Sequence, residues 1–221
     1  MSEINITNED NMELMKRYPD NYFELAIVDV PYGSDNIQGG YKLGNSGGKG
    51  AAKQKVYNKA IWKHSAPDIK YFNELFRVSK NQIIWGANHF ISKMPIDSPC
   101  WIIWDKKNGN TKFADCELAW ASFNKAARKF EFMWNGMLQG DMKNKEERIH
   151  PTQKPVKLYE WLLVNYAKEG DKILDTNLGS GSIAIACHNL KFDLTACELD
   201  KDYYDAAILR LRIHRMQKTL F

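Results

Sequence analysis

The sequence predicts an α/β fold with a doubly wound, mostly parallel sheet and helices on both faces. Three features carry that expectation. From Val156 onward, apolar segments of helical and of strand length alternate regularly, the pattern of a parallel sheet crossed by helices. An isolated run, Leu25-Ala-Ile-Val-Asp29, is apolar up to an acid and is soon followed by a proline, as a strand buried on both faces would be. Gly179 and Gly181 stand between a strand-like and a helix-like segment, where such folds turn sharply. A chain of 221 residues, 44% of them hydrophobic, can bury one large core, so a single domain is expected over 1–221.

After the Leu25–Asp29 strand, residues 34–63 are rich in Gly, Asn, Ser and Lys and have no apolar period. They read as a long mobile loop. A helix is expected from Pro67 to Lys80, with Ile69, Phe72, Leu75, Phe76 and Val78 as its apolar positions. Gln82–Trp85, Trp101–Trp104, Cys116–Ser122 and Lys129–Trp134 have strand length, and Phe130, Phe132 and Trp134 alternate onto one face of the last. Residues 135–149 are polar and expected to be irregular. Then follow a helix (Val156–Lys168), a strand (Lys172–Asp175), a helix (Ser182–Leu190), a strand (Leu194–Glu198) and a helix from Lys201 to about Gln217.

Composition removes several function classes. Seven Trp, ten Tyr and ten Phe need burial or stacking partners, which excludes a disordered chain. No apolar run approaches the ~20 residues of a membrane span. The opening MSEINITNEDNMELM has neither a basic flank nor an apolar core, so a cytoplasmic protein is expected rather than a secreted or membrane one. Four scattered cysteines without a C-x-x-C pair argue against a zinc site and fit reduced thiols. Pro99-Cys100-Trp101 has the look of a nucleophilic Pro-Cys pair, but no partner acid accompanies it, and Cys100 is read as the start of the Trp101 strand. A net charge of +4 permits an anionic partner without requiring one.

The sharpest local feature is Lys172-Ile-Leu-Asp175-Thr-Asn-Leu-Gly179-Ser-Gly181-Ser-Ile-Ala184, a strand running through a glycine turn into a helix. The helix N-terminus offers free N–H groups, and the next strand ends at Glu198, whose carboxylate can accept from both hydroxyls of a ribose. Together these form a nucleoside-cofactor half-site. Gly179-Ser-Gly181-Ser-Ile-Ala184 also matches G-x-G-x-x-A, so an NAD-type dinucleotide-binding oxidoreductase is an alternative. Against it, Asp175 stands where a carboxylate would repel a pyrophosphate and would suit a cationic amine.

Two further segments complete the picture. Asp29-Val30-Pro31-Tyr32 lies at a strand's carboxyl end, where Asp29 and a backbone carbonyl can accept hydrogens of an exocyclic amino group and Tyr32 can stack on its ring. His150-Pro-Thr-Gln-Lys-Pro155 precedes the helix before the glycine turn. In this order the three segments resemble those of the permuted, β-class amino-group DNA methyltransferases, which modify adenine N6 or cytosine N4. That family has a D-P-P-Y-type segment, a recognition region, H-P-T-Q-K-P and a D-P-F-x-G-S-G-T-like turn. Asn8-Glu9-Asp10 resembles its short acidic segment, so the likeness spans nearly the whole chain. Three positions depart from the pattern: Val30 and Thr176 each replace a proline, and Asn177 replaces an aromatic.

The resemblance implies a Rossmann-like fold of permuted motif order and transfer of a methyl group from S-adenosylmethionine to an amino group of a flipped base in double-stranded DNA. Adenine N6 is implied by the leading Asp29, with cytosine N4 as the alternative. Asp29, Tyr32 and the Val30 or Pro31 carbonyl would hold the amino group, localising its lone pair for in-line attack. Asp10 would meet the cofactor's adenine, Glu198 its ribose, Asp175 its amino group, and Thr152 and Lys154 its carboxylate. Asp29, Asn177, Gly179, Ser180, Gly181 and Ser182 would complete the cofactor pocket. Residues of about 121–149 would form a small recognition region reading a short site. Lys42, Lys49, Lys53 and Lys55, in a stretch with six lysines and no acid between Tyr41 and His64, are candidate phosphate contacts, although a solvated loop has the same composition. Lys106, Lys107, Lys112, Lys125, Arg128 and Lys129 form a second basic stretch. Small size is compatible with a homodimer, and the family implies a place in restriction–modification. A catalytically silent DNA-binding relic is the remaining alternative.

Overall fold

The computed structural model describes residues 2–33, 66–94, 97–109, 111, 114–135 and 138–218. The basic stretch 34–63, with Lys42, Lys49, Lys53 and Lys55, lies outside the described residues.

Ten strands and five α-helices follow one another as β1 (Ile4–Thr7), α1 (Asn11–Lys16), β2 (Phe23–Val28), α2 (Ile69–Val78), β3 (Ser79–Trp85), β4 (Cys100–Asp105), β5 (Cys116–Ala121), β6 (Arg128–Glu131), β7 (Trp134–Asn135), β8 (Leu138–Gln139), α3 (Val156–Tyr166), β9 (Lys172–Asp175), α4 (Ser182–Leu190), β10 (Asp193–Cys197) and α5 (Lys201–Lys218) among the described residues. Eight strands form one sheet in the order β1-β10-β9-β2-β3-β5-β4-β6, and β7 and β8 pair separately. β1 through β3 run parallel, β5 lies antiparallel to both β3 and β4, and β6 is parallel to β4.

Alternation along the central strands splits the core in two. Leu25 and Ile27 of β2 and Ile83 and Trp85 of β3 face Leu158, Leu162 and Leu163 of α3, Ile183 and Ala186 of α4, and Ala207 and Leu211 of α5. Ala26, Val28 and Ile84 face the other way, against Leu14 and Met15 of α1 and Tyr71, Phe72 and Leu75 of α2. Helices thus cover both faces, as expected, and β2 reads as a continuous apolar run because each face has its own helical layer.

Three local readings need correction. The edge strand β1 and the short helix α1 were not anticipated. β1 is only half-buried, and α1 is six residues long, started by Asp10, whose side chain accepts from Met12 N–H at 2.8 Å. The single strand expected over Lys129–Trp134 is broken. Its first part pairs with β4, while Trp134 turns to pair with Gln139, although the rings of Phe130, Phe132 and Trp134 still follow one another at 6.0 and 6.4 Å. The stretch expected to be irregular over 135–149 contains part of that small hairpin. No helix among the described residues is long and apolar enough to cross a membrane.

Candidate active site

β9 and β2 are neighbours, yet the chain leaves β9 toward β10 on one side and β2 toward β3 on the other. A crevice opens outside the carboxyl ends of strands at such a switch point. Asp175 is the last residue of β9, and Asp29 follows Val28, the last of β2, with Leu25 beside Ile173 and Ala26 beside Leu174. The two acids are close enough to sense each other's charge. Burial, followed by the charges of Asp29 and Glu198, raises the Asp175 carboxyl to about 8 against the pull of a hydrogen bond from Asn177 N–H at 2.9 Å. Asp175 is 2% exposed and has no ion pair among the described residues.

Asp29 sits in a charged cluster. Its Oδ2 lies 2.6 Å from Lys154 Nζ, and its Oδ1 accepts the Tyr32 hydroxyl at 2.9 Å. The same ammonium is 2.9 Å from Glu117 Oε2, and Glu117 Oε1 is 2.6 Å from Lys106 Nζ. Burial works to discharge Lys154, but Asp29 and Glu117 more than compensate and raise its pKa, so it stays an ammonium. Burial likewise opposes ionisation of Glu117, yet Lys154 and Lys106 hold its carboxyl at about 2. Asp29 is left with its carboxyl raised by burial, the pull of Lys154 notwithstanding.

The His150–Pro155 segment straps the two halves of the crevice together. At one end the buried His150 ring packs 4.3 Å from the Tyr203 ring and beside the glycine turn, where a Cβ on Gly179 would be 3.8 Å from it. Burial, then the Lys154 charge, depresses its pKa to about 4. At the other end Lys154 reaches Asp29. Between them Gln153 Oε1 accepts Ile149 N–H at 2.9 Å and Gln153 O accepts the Trp134 indole N–H at 2.8 Å, which fixes the strap's path.

The glycine turn is braced from behind. Gly181, at φ +70°, ends it and opens α4, and a side chain there would press within 3.1 Å of Ala207. Gly179 N–H donates to Glu198 Oε2 at 2.8 Å, while the Glu198 carboxyl is raised by burial. Arg210 donates to Ser180 O (2.8 Å), Ser182 Oγ (2.9 Å) and Glu146 Oε2 (2.6 Å), and Ser180 and Ser182 share a 3.1 Å contact. Asn177 is joined to Thr176 Oγ1, which in turn meets the Tyr71 hydroxyl at 2.6 Å. Tyr71 and Asn177 thus lie on the α2 side of the turn.

The expected site residues therefore converge unevenly. Asp29, Val30, Pro31, Tyr32, Lys154, Asp175, Asn177, Gly179, Ser180, Gly181, Ser182 and Glu198 all occupy the carboxyl edge of β2, β9 and β10 or the strap beside it. Lys154 departs from the role expected for it: its ammonium is engaged by Asp29 and Glu117 rather than held free for a ligand carboxylate. Thr152 is exposed and lies with its hydroxyl 3.1 Å from His150 Nδ1. Asp10 is exposed at the start of α1, following Asn8, which bonds Glu198 O at 2.8 Å. In the second basic stretch Lys112 lies outside the described residues, while Lys106 pairs with Glu117, Lys107 with Glu131, and Lys129 with Asp105 and Glu131.

Sequence reasoning missed Glu117, Gly86 and His89. Gly86 has φ +71°, and a Cβ there would fall 2.0 Å from Tyr32 Cε1, so the Tyr32 ring lies directly on its backbone. His89 stacks on the same ring, 5.0 Å away at 15°. An isolated glycine directly after the apolar Gln82–Trp85 run was the available signal for a close backbone approach.

Comparison with known proteins accords with this geometry. Residues 37–209 match the N6/N4 methyltransferase family model, described as DNA methylase. Over 68 residues, 31% of the chain, identity to the type II methyltransferase M.HpaI of Haemophilus parainfluenzae is 38%, and the matched stretch spans only 22% of that relative. Identity to the type II methyltransferase M.BglII of Bacillus subtilis is 23% across 91% of this chain and 67% of the relative. Among solved structures, the M1.HpyAVI–SAM complex aligns with a TM-score of 0.56 at 20% identity, covering 94% of this chain and 99% of that one. The PvuII DNA methyltransferase, titled cytosine-N4-specific, aligns with a TM-score of 0.60 at 12% identity, covering 95% and 86%. These structural likenesses bear out the Rossmann-like methyltransferase fold. With its family match covering most of its length, the chain belongs to the N6/N4 DNA methylase family.

Proposed function

We propose that the chain transfers the methyl group of S-adenosylmethionine to the exocyclic amino group of a base flipped out of double-stranded DNA, adenine N6 being the target. The observation that carries this reading is the side-by-side opening of Asp29 and Asp175 at the carboxyl ends of β2 and β9.

The residues present fit such a cofactor. Asp175, held near 8 by burial and by Asp29 and Glu198, is an acid in want of a cation, which an α-ammonium would supply. Glu198, one residue past β10, can accept from ribose hydroxyls, and Gly179 and Gly181 carry no side chain that would hold a ligand off the turn, while the Ser180 hydroxyl is turned to Ser182. When bound, S-adenosylmethionine supplies an electrophilic methyl on a sulfonium. The chain's own task is orientation. An aromatic amine is a weak nucleophile because its lone pair is delocalised, and Asp29 with the Val30 or Pro31 carbonyl would accept both amino hydrogens and aim the lone pair.

For this to happen the base must displace the Tyr32 hydroxyl from Asp29 Oδ1. Tyr32, seated on Gly86, then becomes its stacking platform once His89, which stacks on that ring in this structure, gives way. The short segment over about 121–149 supports a short recognition site.

Sequencing modified bases in DNA from cells expressing the chain tests base, atom and context together. N6-methyladenine in a short motif is the expected result. N4-methylcytosine would move the assignment to the second reading, which the likeness to the PvuII enzyme favours. Unmodified DNA, with tritium transfer absent in vitro, would refute the activity.

A further inference from the structure

We propose that Glu117 is a positioning residue for methyl transfer: from β5 it takes a share of the Lys154 ammonium and so leaves the Asp29 carboxylate able to accept the target amino hydrogens. This rests on the function proposed above and adds a group that none of the three sequence motifs contains.

Topology explains why β5 can do this. The parallel strands all end at the crevice, whereas β5 runs the other way, with Ile83 beside Ala121 and Trp85 beside Ala119. Its first residues therefore emerge at the edge where β2, β3 and β9 finish. Lys106 arrives there too, one residue past the end of β4, where Trp104 pairs with Glu117 and Asp105 with Cys116. The antiparallel arm thus delivers an acid and a base to the site.

Four charges then alternate as Asp29, Lys154, Glu117 and Lys106, with N···O separations of 2.6, 2.9 and 2.6 Å. An ammonium facing Asp29 alone would place its whole charge on that carboxylate and make it a poor acceptor for a neutral amine. Glu117 divides that charge, and the Tyr32 oxygen, 3.3 Å from Lys154 Nζ, completes the ammonium's surroundings. Lys106 in turn balances Glu117, so the group of two acids and two ammoniums, built around the buried Lys154, is neutral. Glutamine at 117 would keep a polar contact but leave the cluster with one uncompensated positive charge.

Other groups also face the pair. Tyr32 and Glu117 lie against Asp29, Asp175 opposes it from β9, and Tyr159 of α3 senses its charge. His150 faces Lys154 from the strap, and the Trp85 ring lies 5.4 Å from Lys154 Nζ. Apart from residue 117 itself and its 3.4 Å contact with the Tyr32 hydroxyl, these groups keep their identity and charge in the variants at 117 and 106.

The test is kcat against pH for tritium transfer to DNA at saturating cofactor and substrate, in wild type, Glu117→Gln, Glu117→Asp and Lys106→Met. With its negative neighbour gone, Asp29 ionises more readily, so the acid limb in Glu117→Gln moves to lower pH. At neutral pH kcat falls on the order of tenfold because Asp29 accepts less strongly, with both KM values little changed. Lys106→Met removes a positive charge and moves the limb to higher pH, while Glu117→Asp restores the wild-type position. Opposite displacements in two variants cannot come from a general loss of structure, and retained S-adenosylhomocysteine binding reports an intact fold. A limb that stays put or moves the other way in either charge variant overturns the proposal, whatever happens to kcat. Wild type without any transfer overturns the functional reading and this proposal together, whereas an active wild type with unmoved variants overturns the role of Glu117 alone.

Discussion

Replacing Asp175 by Asn probes the crevice most directly. The Asp175 carboxyl rises from 3.8 to about 8, chiefly because the site is buried. At roughly 1.4 kcal/mol for each tenfold step in acidity, the ionised folded form costs on the order of 5 kcal/mol. The sign follows from the proton being held more tightly in the folded state. Stability from this group is fully present below about pH 4, the unfolded value, and is lost as pH rises through about 8. Asn carries no charge at any pH. The ligand-free variant should therefore melt close to wild type at pH 4 and progressively above it as pH increases, with the gap widening by about 10 °C between pH 5 and pH 8.5. Calorimetric scans at several pH values measure this. A ligand ammonium should reverse the effect by ionising the acid. Binding of S-adenosylhomocysteine at pH 7 should then release close to one proton in wild type and none in the variant, read from calorimetry in buffers of different ionisation enthalpy. A melting gap independent of pH, together with binding that releases no proton, would refute the reasoning.

Three further substitutions have defined outcomes. Gly86→Ala forces a side chain into the left-handed region and into the Tyr32 ring, so it should cost at least about 1–2 kcal/mol in thermal stability and lower the transfer rate as the Tyr32 ring is pushed out of its stacking position. Asp29→Ala should abolish tritium transfer while changing S-adenosylhomocysteine affinity only a few-fold, and unchanged turnover would remove Asp29 from the chemistry. His150 has its pKa depressed from 6.5 to about 4, so its contribution is present above pH 6.5 and is lost as pH falls through 4. His150→Gln should erase an acid-side loss of about 3 kcal/mol, seen as a flatter melting temperature between pH 6.5 and pH 4.

The elements that the sequence declares most openly are those whose burial is complete. Lys172–Asp175 and Ser182–Leu190 were legible to the residue, because a strand apolar on both faces and a helix opened by glycine leave little freedom. β1 and α1 were not, since the Ile4-Asn5-Ile6-Thr7 alternation lasts only four residues and a six-residue helix has less than two full periods. Among site residues, Asp29, Tyr32, Lys154 and Asp175 could be found because each sits in a segment whose neighbours restrict it. Glu117 could not. It is one acid in an otherwise apolar strand, and its meaning depends on β5 running antiparallel, a fact of sheet order that local pattern does not encode. Lys154 was legible as a site residue but not in its partner: spacing brings it to the crevice, and only the fold shows Asp29 and Glu117 waiting there.

The order of strands also governs how a nascent chain can assemble. Leu25 finishes beside Ile173, and Ile4 beside Leu194, so the middle of the sheet and one of its borders join distant parts of the polypeptide. As synthesis proceeds, β2 can find β3 early, but its other side stays open until β9 leaves the ribosome, and β1 has nothing to join until β10 does. Closure over such separations is slow, and an apolar strand left open is adhesive. Newly made molecules should therefore lean most on chaperones just before the glycine turn emerges, and mutations that weaken β9 should lower soluble yield more than they lower the melting temperature of the molecules that succeed.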